Sequence, residues 1–353
     1  MKVIFINARF LTQPITGVQR FAIEICKELK KIGLPIQILA PHDVIDRELS
    51  HYFEVKVIGK RTGHLWEQLE LPHYLKKQQS PILLNLCNTA PLFYHNNIIT
   101  LHDLAFLKHP EWFSLAFRTY YNYLTPKIAK KAKFIFTVSN SVKKDLQETF
   151  NLTIEEVAVV YNGLPSVFMG NDSPEVKSEH RPYFLAFGGK NPRKNIKNIL
   201  KGMSLLNDVN FDLHIIDRAQ GNFTGKDIED QQFNFKIVHH SDINDEQLKQ
   251  LYKHASGLLY PSLYEGFGLP PLEAINSNCP ILLSEIDVFK ELYSEVAIFC
   301  DPSKPEDIKD GILKLIDIGH LSIDSDKLER INHNYSYWKA AFTMNEKLSH
   351  FLN

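Results

Sequence analysis

Short apolar segments that suit β-strands alternate with helical segments along most of this chain. In the first half the candidate strands are residues 2–7, 35–40, 81–85, 98–101 and 134–138. The alternation starts again in the second half, at 183–187, 211–216, 235–238, 257–260, 280–283 and 297–299. Strands that alternate with helices favour a parallel sheet covered by helices on both faces. The sequence therefore predicts an α/β protein with two doubly wound, Rossmann-like sheets.

The two halves are separated by residues 166–181, which are polar and lack a clear period. We therefore predict an N-terminal domain over 1–165 and a C-terminal domain over 166–334. Ligands of such folds lie at the carboxyl ends of strands, so two domains that face each other would form a central cleft. The last segment, 335–353, has helical spacing and is expected to cross back to the N-terminal domain; a plain packing helix is the alternative.

Net charge, cysteine spacing and apolar runs limit the binding partners and the cellular compartment that we expect. The 353 residues carry a formal net charge of −1, which gives no general attraction to nucleic acid. The four cysteines form no Cys-x-x-Cys pair, which is typical of reduced thiols and argues against a structural zinc site. The apolar run at the N-terminus is too short for a signal peptide, and no uncharged run approaches membrane-spanning length. We expect a cytoplasmic protein.

The segment Tyr260–Ile275 holds the first candidate site. An apolar strand leads into a glycine loop that contains Gly268, and Pro270 then suits the first turn of a helix. Backbone N–H groups and the positive end of a helix dipole meet at such a junction, which favours phosphate binding. Glu265 lies in the loop, and Glu273 follows inside the helix. A tight turn with two ordinary glutamates is the alternative.

A second glycine loop, Gly188–Asn195, also joins a strand to a helix. It contains Gly189 and Lys190, followed by Arg193 and Lys194. Glycines that free the backbone, together with three cations, predict an anion site. The spacing matches neither a P-loop nor a Gly-x-Gly-x-x-Gly opening, so the motifs indicate neither an NTPase nor a nicotinamide enzyme. A basic surface loop is the alternative.

Two candidates in the first half are weaker on their own. The sequence Thr100-Leu-His-Asp103 closes a strand, which would project His102 or Asp103 into a cleft at that edge. An ordinary surface or core histidine is the alternative. The loop that ends at Gly17 follows the first strand and precedes a helix, so it is a third possible anion or sugar contact.

Residues 112–133 are basic and aromatic, and residues 115–133 contain no acidic side chain. Such a segment in a nearly neutral protein could rest on an anionic membrane surface. The alternative is a helix whose aromatic side chains face the core while its lysines face water. The sequence leaves both interpretations open.

The motifs together resemble retaining glycosyltransferases of family 4. Glu265 and Glu273, with Gly-Phe-Gly-Leu-Pro between them, resemble the E-x7-E signature of that family. Six further features are similar to family motifs and follow the family order: Gly17 with Val18 and Arg20, the sequence Thr100–Asp103, the pair Val138-Ser139, the pair Asn162-Gly163, the sequence Pro192–Asn195, and the pair Asp301-Pro302. The similarity covers almost the whole chain and implies the GT-B fold, in which two Rossmann-like domains face a central cleft.

The resemblance implies a nucleotide-diphosphate sugar as donor substrate, bound mainly by the second domain. Arg193 and Lys194 would neutralise the diphosphate, Gly268 and Leu269 would offer N–H groups to it or to the sugar, and Glu273 would hold the ribose hydroxyls. The same resemblance assigns four more residues to donor binding: Gly17, Gly189, Lys190 and Phe267. The loop has Gly189 and Lys190 where the family often has arginine after glycine, so the cation that contacts the β-phosphate stays open.

For catalysis, the resemblance assigns roles to Glu265 and His102. Glu265 would bind the donor sugar and stabilise positive charge at the anomeric carbon, and His102 would contact the sugar from the other domain. The family retains the anomeric configuration, which needs no enzymic nucleophile when the leaving phosphate takes the acceptor's proton. Neither a metal nor a tightly bound cofactor is expected.

The resemblance also implies an acceptor and a cellular setting. The acceptor would be a glycan or a polyprenyl-linked oligosaccharide of surface polysaccharide synthesis, and it would bind the first domain. We expect the enzyme in the cytoplasm, with peripheral association at the inner face of the plasma membrane as an open possibility. A catalytically silent nucleotide-sugar-binding protein on the same fold is the alternative; such a protein would tolerate the loss of His102 and Glu265.

Overall fold

The computed structural model describes residues 3–170, 181–188, 190–206, 210–217, 233–319 and 324–352. The chain divides into two compact units. The first unit consists of Met1–Leu104, Thr119–Gly163 and His333–Asn353, and the second consists of Ala105–Arg118 and Leu164–Asn332.

The unit division differs from the predicted domain ranges mainly at 105–118, which groups with the second unit. Two residues of this segment lie beside Tyr264 of the second unit. The Lys108 ammonium lies 5.8 Å from the centroid of the Tyr264 ring, and the His109 ring centroid lies 5.8 Å from the same point. Sequence periodicity cannot detect such a contact, because it joins segments about 150 residues apart.

The first unit has a parallel sheet. Its strands are β1 (Ile4–Asn7), β2 (Ile36–Ala40), β3 (Lys56–Val57), β4 (Leu83–Asn85), β5 (Asn97–Thr100), β6 (Phe134–Thr137) and β7 (Val157–Val159). Their order in the sheet is β3-β2-β1-β4-β5-β6-β7, and every neighbouring pair is parallel. Every residue of β4, β5 and β6 is buried, as expected for central strands covered on both faces.

The second unit has a similar sheet. Its strands are β8 (Tyr183–Phe187), β9 (Asp212–Asp217), β10 (Ile237–Ser241), β11 (Gly257–Tyr260), β12 (Ile281–Ser284) and β13 (Ala297–Cys300). Their order is β10-β9-β8-β11-β12-β13, again with parallel neighbours. The prediction of two doubly wound parallel sheets is therefore confirmed. In both sheets the strand order reverses beside the first strand, so the switch points lie between β1 and β4 and between β8 and β11.

Helices connect the strands throughout the described ranges. They are α1 (Gly17–Ile32), α2 (Arg47–Tyr52), α3 (Gly63–Leu65), α4 (Leu71–Lys77), α5 (Ala105–Lys108), α6 (Leu115–Lys131), α7 (Asn140–Phe150), α8 (Ile196–Ser204), α9 (Asp245–His254), α10 (Leu269–Asn276), α11 (Asp287–Tyr293), α12 (Pro305–Ile318), α13 (Ser325–Asn334) and α14 (Tyr337–Leu352). Between α3 and α4 the chain forms a π-helix, Trp66–Glu70. A 3₁₀-helix, Pro192–Lys194, precedes α8.

The last helix belongs to the first unit. There α14 packs against α1, and the two helices bury Phe21 and Ile25 of α1 and Ala341 and Met344 of α14. No helix among the described residues is both long and apolar enough to span a bilayer.

Candidate functional site

The carboxyl edge of the second sheet brings three loops together at the switch point between β8 and β11. Asn195, which follows the 3₁₀-helix, donates from its side-chain amide to Pro261 O at 3.0 Å and to Pro302 O at 2.7 Å. Leu263 N donates to Arg193 O at 2.9 Å. Because Asn195 is itself buried, these bonds fix the cationic loop after β8 against the loops that follow β11 and β13.

Lys194 and Glu265 are in direct contact. The Lys194 ammonium donates to Glu265 Oε1 at 2.7 Å and also bonds to the Tyr260 hydroxyl. That hydroxyl donates in turn to Glu265 Oε1 at 3.1 Å. Arg193 Nε lies 3.8 Å from the same oxygen. The structure therefore joins the residues predicted to hold the diphosphate to the residue predicted to hold the sugar.

The electrostatics of this cluster favour an ionised carboxylate. Burial opposes the charge on Glu265, which is only 7% exposed, but the positive charges of Arg193 and Lys194 outweigh burial and keep its pKa below the ordinary value. Burial, followed by the Glu265 charge, raises the pKa of Tyr260 well above its usual range, so its hydroxyl stays neutral. Two cations and one carboxylate leave these three charged side chains with a net positive charge, which suits an anionic ligand.

The two other residues predicted in the cationic loop, Lys190 and Gly189, add little to the geometry of the site. Lys190 is exposed. Gly189 lies outside the described residues. Within the described ranges no three His, Cys, Asp or Glu side chains group closely enough to hold a metal ion.

The glycine loop after β11 ends in the predicted helix start. Helix α10 begins at Leu269. The residue before it, Gly268, has a φ of +86°. A Cβ atom at Gly268 would lie 2.6 Å from Cε1 of the buried Phe289, so both backbone angle and space require glycine. Phe267 is buried, and the Tyr293 hydroxyl donates to Gly268 O at 2.8 Å. This packing leaves the loop little freedom to move.

Glu273 lies on the buried face of α10 and is 4% exposed. The Tyr252 hydroxyl donates to Glu273 Oε2 at 3.1 Å. The two carboxylates of the predicted signature therefore have different surroundings: Glu265 contacts cations, whereas Glu273 accepts from a phenol.

His102 lies in the first unit, on the loop that follows β5, and is 6% exposed. Its Nε2 lies 2.8 Å from Leu86 O; since a carbonyl can only accept, Nε2 carries the hydrogen and Nδ1 is the acceptor nitrogen. Burial lowers the His102 pKa, so the ring is neutral near pH 7. The edge of the ring also contacts Phe21, with 4.9 Å between centroids.

Gly17 also lies in the first unit, as the exposed first residue of α1. The preceding residue, Thr16, donates its N–H to Gln19 Oε1 at 3.2 Å, which caps the helix start. The structure thus places His102 and Gly17 in one unit and the other predicted site residues in the second. The predicted meeting of the two sets across a cleft stays a prediction.

Three further groups with polar contacts lie outside the set of site residues predicted from the sequence. The sequence indicates only a strand residue at Tyr260, whereas in the structure its hydroxyl bonds to both Lys194 and Glu265. Arg9 and Glu67 form a buried ion pair in the first unit, with Nε and Oε1 3.3 Å apart. A charged residue soon after the first strand was the available signal for Arg9, but nothing local indicates a partner 58 residues away.

Two family descriptions match this chain in succession. Glycosyltransferase Family 4 matches residues 15–168, and Glycosyl transferases group 1 matches residues 171–334. The O-antigen chain mannosyltransferase RfbU of Salmonella typhimurium is 33% identical over 220 residues, which are 61% of this chain and 59% of that protein. The O-antigen chain mannosyltransferase B of Escherichia coli is 25% identical over 347 residues, which are 89% of this chain and 90% of that protein.

Solved structures agree at the level of the fold. Sucrose-phosphate synthase from Thermosynechococcus elongatus superposes with a TM-score of 0.74 at 14% identity, covering 100% of this chain and 99% of that one. Anabaena Alr3699/HepE in complex with UDP and glucose gives a TM-score of 0.73 at 14% identity, with 99% of each chain covered. Because the matched descriptions together extend over 15–334, and the two parallel sheets are those of a GT-B fold, the chain belongs to family 4 of the glycosyltransferases.

Proposed function

We propose that this protein transfers a hexose, with mannose as the first candidate, from a nucleotide-diphosphate sugar to a growing surface glycan. The observation that carries the proposal is the cluster of Arg193, Lys194 and Glu265 at the switch point of the second sheet. Support for mannose and for an O-antigen acceptor comes from the names of the relatives RfbU and mannosyltransferase B. The acceptor would be a glycan or a polyprenyl-linked oligosaccharide.

In this proposal the donor changes the partners of the cationic loop. The diphosphate carries more negative charge than one carboxylate, so it replaces Glu265 as the partner of Lys194 and Arg193. Glu265 then turns its oxygens to the sugar hydroxyls and to positive charge that develops at the anomeric carbon. Tyr260 itself would stay fixed during the exchange because its ring is buried, and its hydroxyl contacts both Lys194 and Glu265.

The transfer would retain the anomeric configuration. The acceptor oxygen forms its bond to the anomeric carbon on the face from which the diphosphate leaves, and the leaving phosphate oxygen takes the acceptor's proton. His102, neutral and with Nδ1 as acceptor, would receive a hydrogen bond from a donor-sugar hydroxyl. No side chain has to act as nucleophile or general base in such a step.

Two measurements test the proposal. Thermal unfolding with UDP, GDP, dTDP and ADP should show one nucleotide that raises the Tm most, because a ligand of the folded state stabilises it by mass action. Incubation with the sugars of that nucleotide, followed by proton NMR of the anomeric signals, should show transfer or hydrolysis with retention. Binding without turnover would support the silent alternative. The proposal fails if no donor is bound and Glu265→Ala changes nothing.

We also propose that the enzyme works at the inner face of the plasma membrane. Phe93 and Tyr123 expose 67% and 57% of their surface. Lys131 Nζ lies 5.4 Å from the Phe93 ring centroid, and Lys127 Nζ lies 3.2 Å from that of Tyr123. Exposed rings beside lysines suit the interface of an anionic bilayer. We call these four residues the aromatic–lysine patch.

A further inference from the structure

A buried carboxylate lies at the switch point of the first sheet. Asn7 ends β1 and Asn85 ends β4, and the two residues are paired in register. Asn7 Nδ2 donates to Asn85 Oδ1 at 2.9 Å and to Glu67 Oε1 at 2.8 Å. Thr89, on the loop after β4, donates to the same Glu67 oxygen at 2.8 Å. Ligands of open α/β sheets bind at this position of the fold.

The carboxylate orients an arginine. Glu67 is completely buried, and Arg9, 7% exposed, places Nε 3.3 Å from Glu67 Oε1 and donates from Nη2 to Thr89 Oγ1 at 3.1 Å. Burial opposes the charge on Glu67, but Arg9 outweighs it and lowers the pKa to about 2. A buried ion pair contributes little stability compared with apolar residues, so its presence at a ligand-binding edge calls for another reason.

The second carboxylate oxygen of Glu67, Oε2, contacts His64, whose side chain is partly exposed to solvent. His64 Nδ1 lies 3.4 Å from Glu67 Oε2 and 2.9 Å from the Tyr120 hydroxyl. The His64 side chain is 38% exposed, and among the described residues its hydrogen-bond partners both lie at Nδ1. The ring therefore keeps Nε2 for a further partner. Glu67 belongs to a π-helix, a form that occurs often at functional sites.

Aromatic rings surround this histidine. The Tyr120 ring centroid lies 4.4 Å from that of His64, and the Tyr121 centroid lies 6.3 Å from it, with the Tyr121 and His64 planes nearly perpendicular. Both tyrosines are half-buried. A small number of oriented polar groups among aromatic rings is the usual lining of a small-molecule site. Glu67 compensates the charge of Arg9, so the group suits a neutral polyhydroxylated ligand better than an anion.

We propose that His64, Tyr120 and Tyr121 bind a sugar ring of the acceptor glycan, with His64 Nε2 hydrogen-bonded to an acceptor hydroxyl. Glu67 and Arg9 are positioning residues that hold His64 and the tyrosines. The inference rests on the proposed glycosyltransferase function and names the residues of its acceptor subsite.

The test uses the full chain with its preferred labelled donor and a panel of octyl glycosides of mannose, glucose, galactose and N-acetylglucosamine as acceptors. His64→Ala should raise the KM for the accepted glycoside about tenfold, the effect of one lost hydrogen bond, while the donor KM stays within twofold. His64→Gln should recover part of the loss, because its amide can still hydrogen-bond. His51→Ala, which alters an exposed histidine of the same unit, is the matched control.

Each outcome is decisive. An acceptor KM that is unchanged in His64→Ala overturns the inference, as does a raised donor KM, which would assign His64 to the donor. A panel in which no glycoside accepts sugar while the donor is hydrolysed also counts against it. If the wild-type protein neither binds nor consumes any donor, the proposed function itself has failed. Circular dichroism melting of each variant shows whether the fold is intact.

Discussion

At the scale of single residues, Glu265 has two competing roles in the cationic loop. Glu265 accepts a hydrogen bond from Lys194 at 2.7 Å, and in the proposed reaction it binds the sugar. A carboxylate that pairs with Lys194 and Arg193 reduces their affinity for any other anion. It also reduces the repulsion between these two half-buried cations. In the proposed reaction the same side chain therefore opposes diphosphate binding and supports sugar transfer.

Glu265→Gln separates these two effects. The amide cannot stabilise positive charge, so we expect kcat for transfer to fall about 100-fold, in line with the loss of a charged hydrogen bond. The free nucleoside diphosphate should bind about threefold more tightly or better, because Lys194 and Arg193 lose a competing anion. Isothermal calorimetry gives the second value. Glu295→Gln, in the exposed pair with Arg330, is the control. Weaker diphosphate binding in Glu265→Gln would contradict the exchange of partners.

At the scale of elements, the local sequence predicts the turn between β11 and α10, but it does not predict α13, the bounds of β10 or the contact of Arg9 with Glu67. The junction from β11 to α10 could be predicted because glycine and proline restrict or widen the backbone angles of their own residues, which a local sequence shows directly. Helix α13 could not be predicted, because Leu328 and Ile331 are the only apolar side chains among its polar and charged residues. Strand β10 lies at Ile237–Ser241 rather than at 235–238, because two histidines obscure the pattern of this edge strand. The pair of Arg9 and Glu67 depends on tertiary contacts that no local pattern reports.

The start of α10 gives a stability prediction with a matched pair of glycines. Gly33 has a φ of +82° with nothing near its Cβ position, so Gly33→Ala should cost about 1 kcal/mol from the backbone alone. Gly268 has a similar φ, but its Cβ would clash with Phe289, so Gly268→Ala should cost about 3 kcal/mol. Urea unfolding measures both free energies. Equal costs would mean that Phe289 moves aside freely.

The π-helix gives a pH-dependent prediction. Glu67→Gln leaves Arg9 buried without its anion, which should lower the free energy of unfolding by about 3 kcal/mol near neutral pH. The folded-state pKa of Glu67, about 2, is below its ordinary value of 4.5, so its carboxylate stabilises the fold above pH 4.5. The difference between wild type and variant should shrink as pH falls from 4.5 toward 2. Urea unfolding over that range measures it.

Glu70→Gln is the control for this series. Glu70 lies in the same π-helix but is half-buried and accepts backbone N–H groups from Lys60 and Arg61. We expect a much smaller change than in Glu67→Gln, since solvent-exposed polar contacts contribute little. A Glu67→Gln variant as stable as Glu70→Gln would show that the Arg9 pair does not hold the carboxyl edge of the sheet.

At the scale of the whole molecule, the two parallel sheets share one strand topology, but the polar clusters at their switch points differ in net charge. Both sheets have the same reversal of strand order, and both place a polar cluster there. In the second unit two cations meet one carboxylate, which suits a diphosphate. In the first, Glu67 balances Arg9, and aromatic rings lie beside them, which suits neutral sugar hydroxyls. The proposed division between donor and acceptor therefore follows from charge rather than from fold.

The proposed membrane association concerns the whole protein, and substitutions in the aromatic–lysine patch test it. Vesicles that contain phosphatidylglycerol should bind the protein, and the double change Lys127→Gln and Lys131→Gln should weaken binding roughly 30-fold, at about 1 kcal/mol per lysine. Phe93→Ala with Tyr123→Ala should weaken binding to neutral phosphatidylcholine vesicles as well. The control changes Trp338 and Phe342 to alanine, since they are an exposed stacked pair on α14. If the control lost as much vesicle binding as the patch variants, binding would depend on exposed apolar side chains in general and not on this patch.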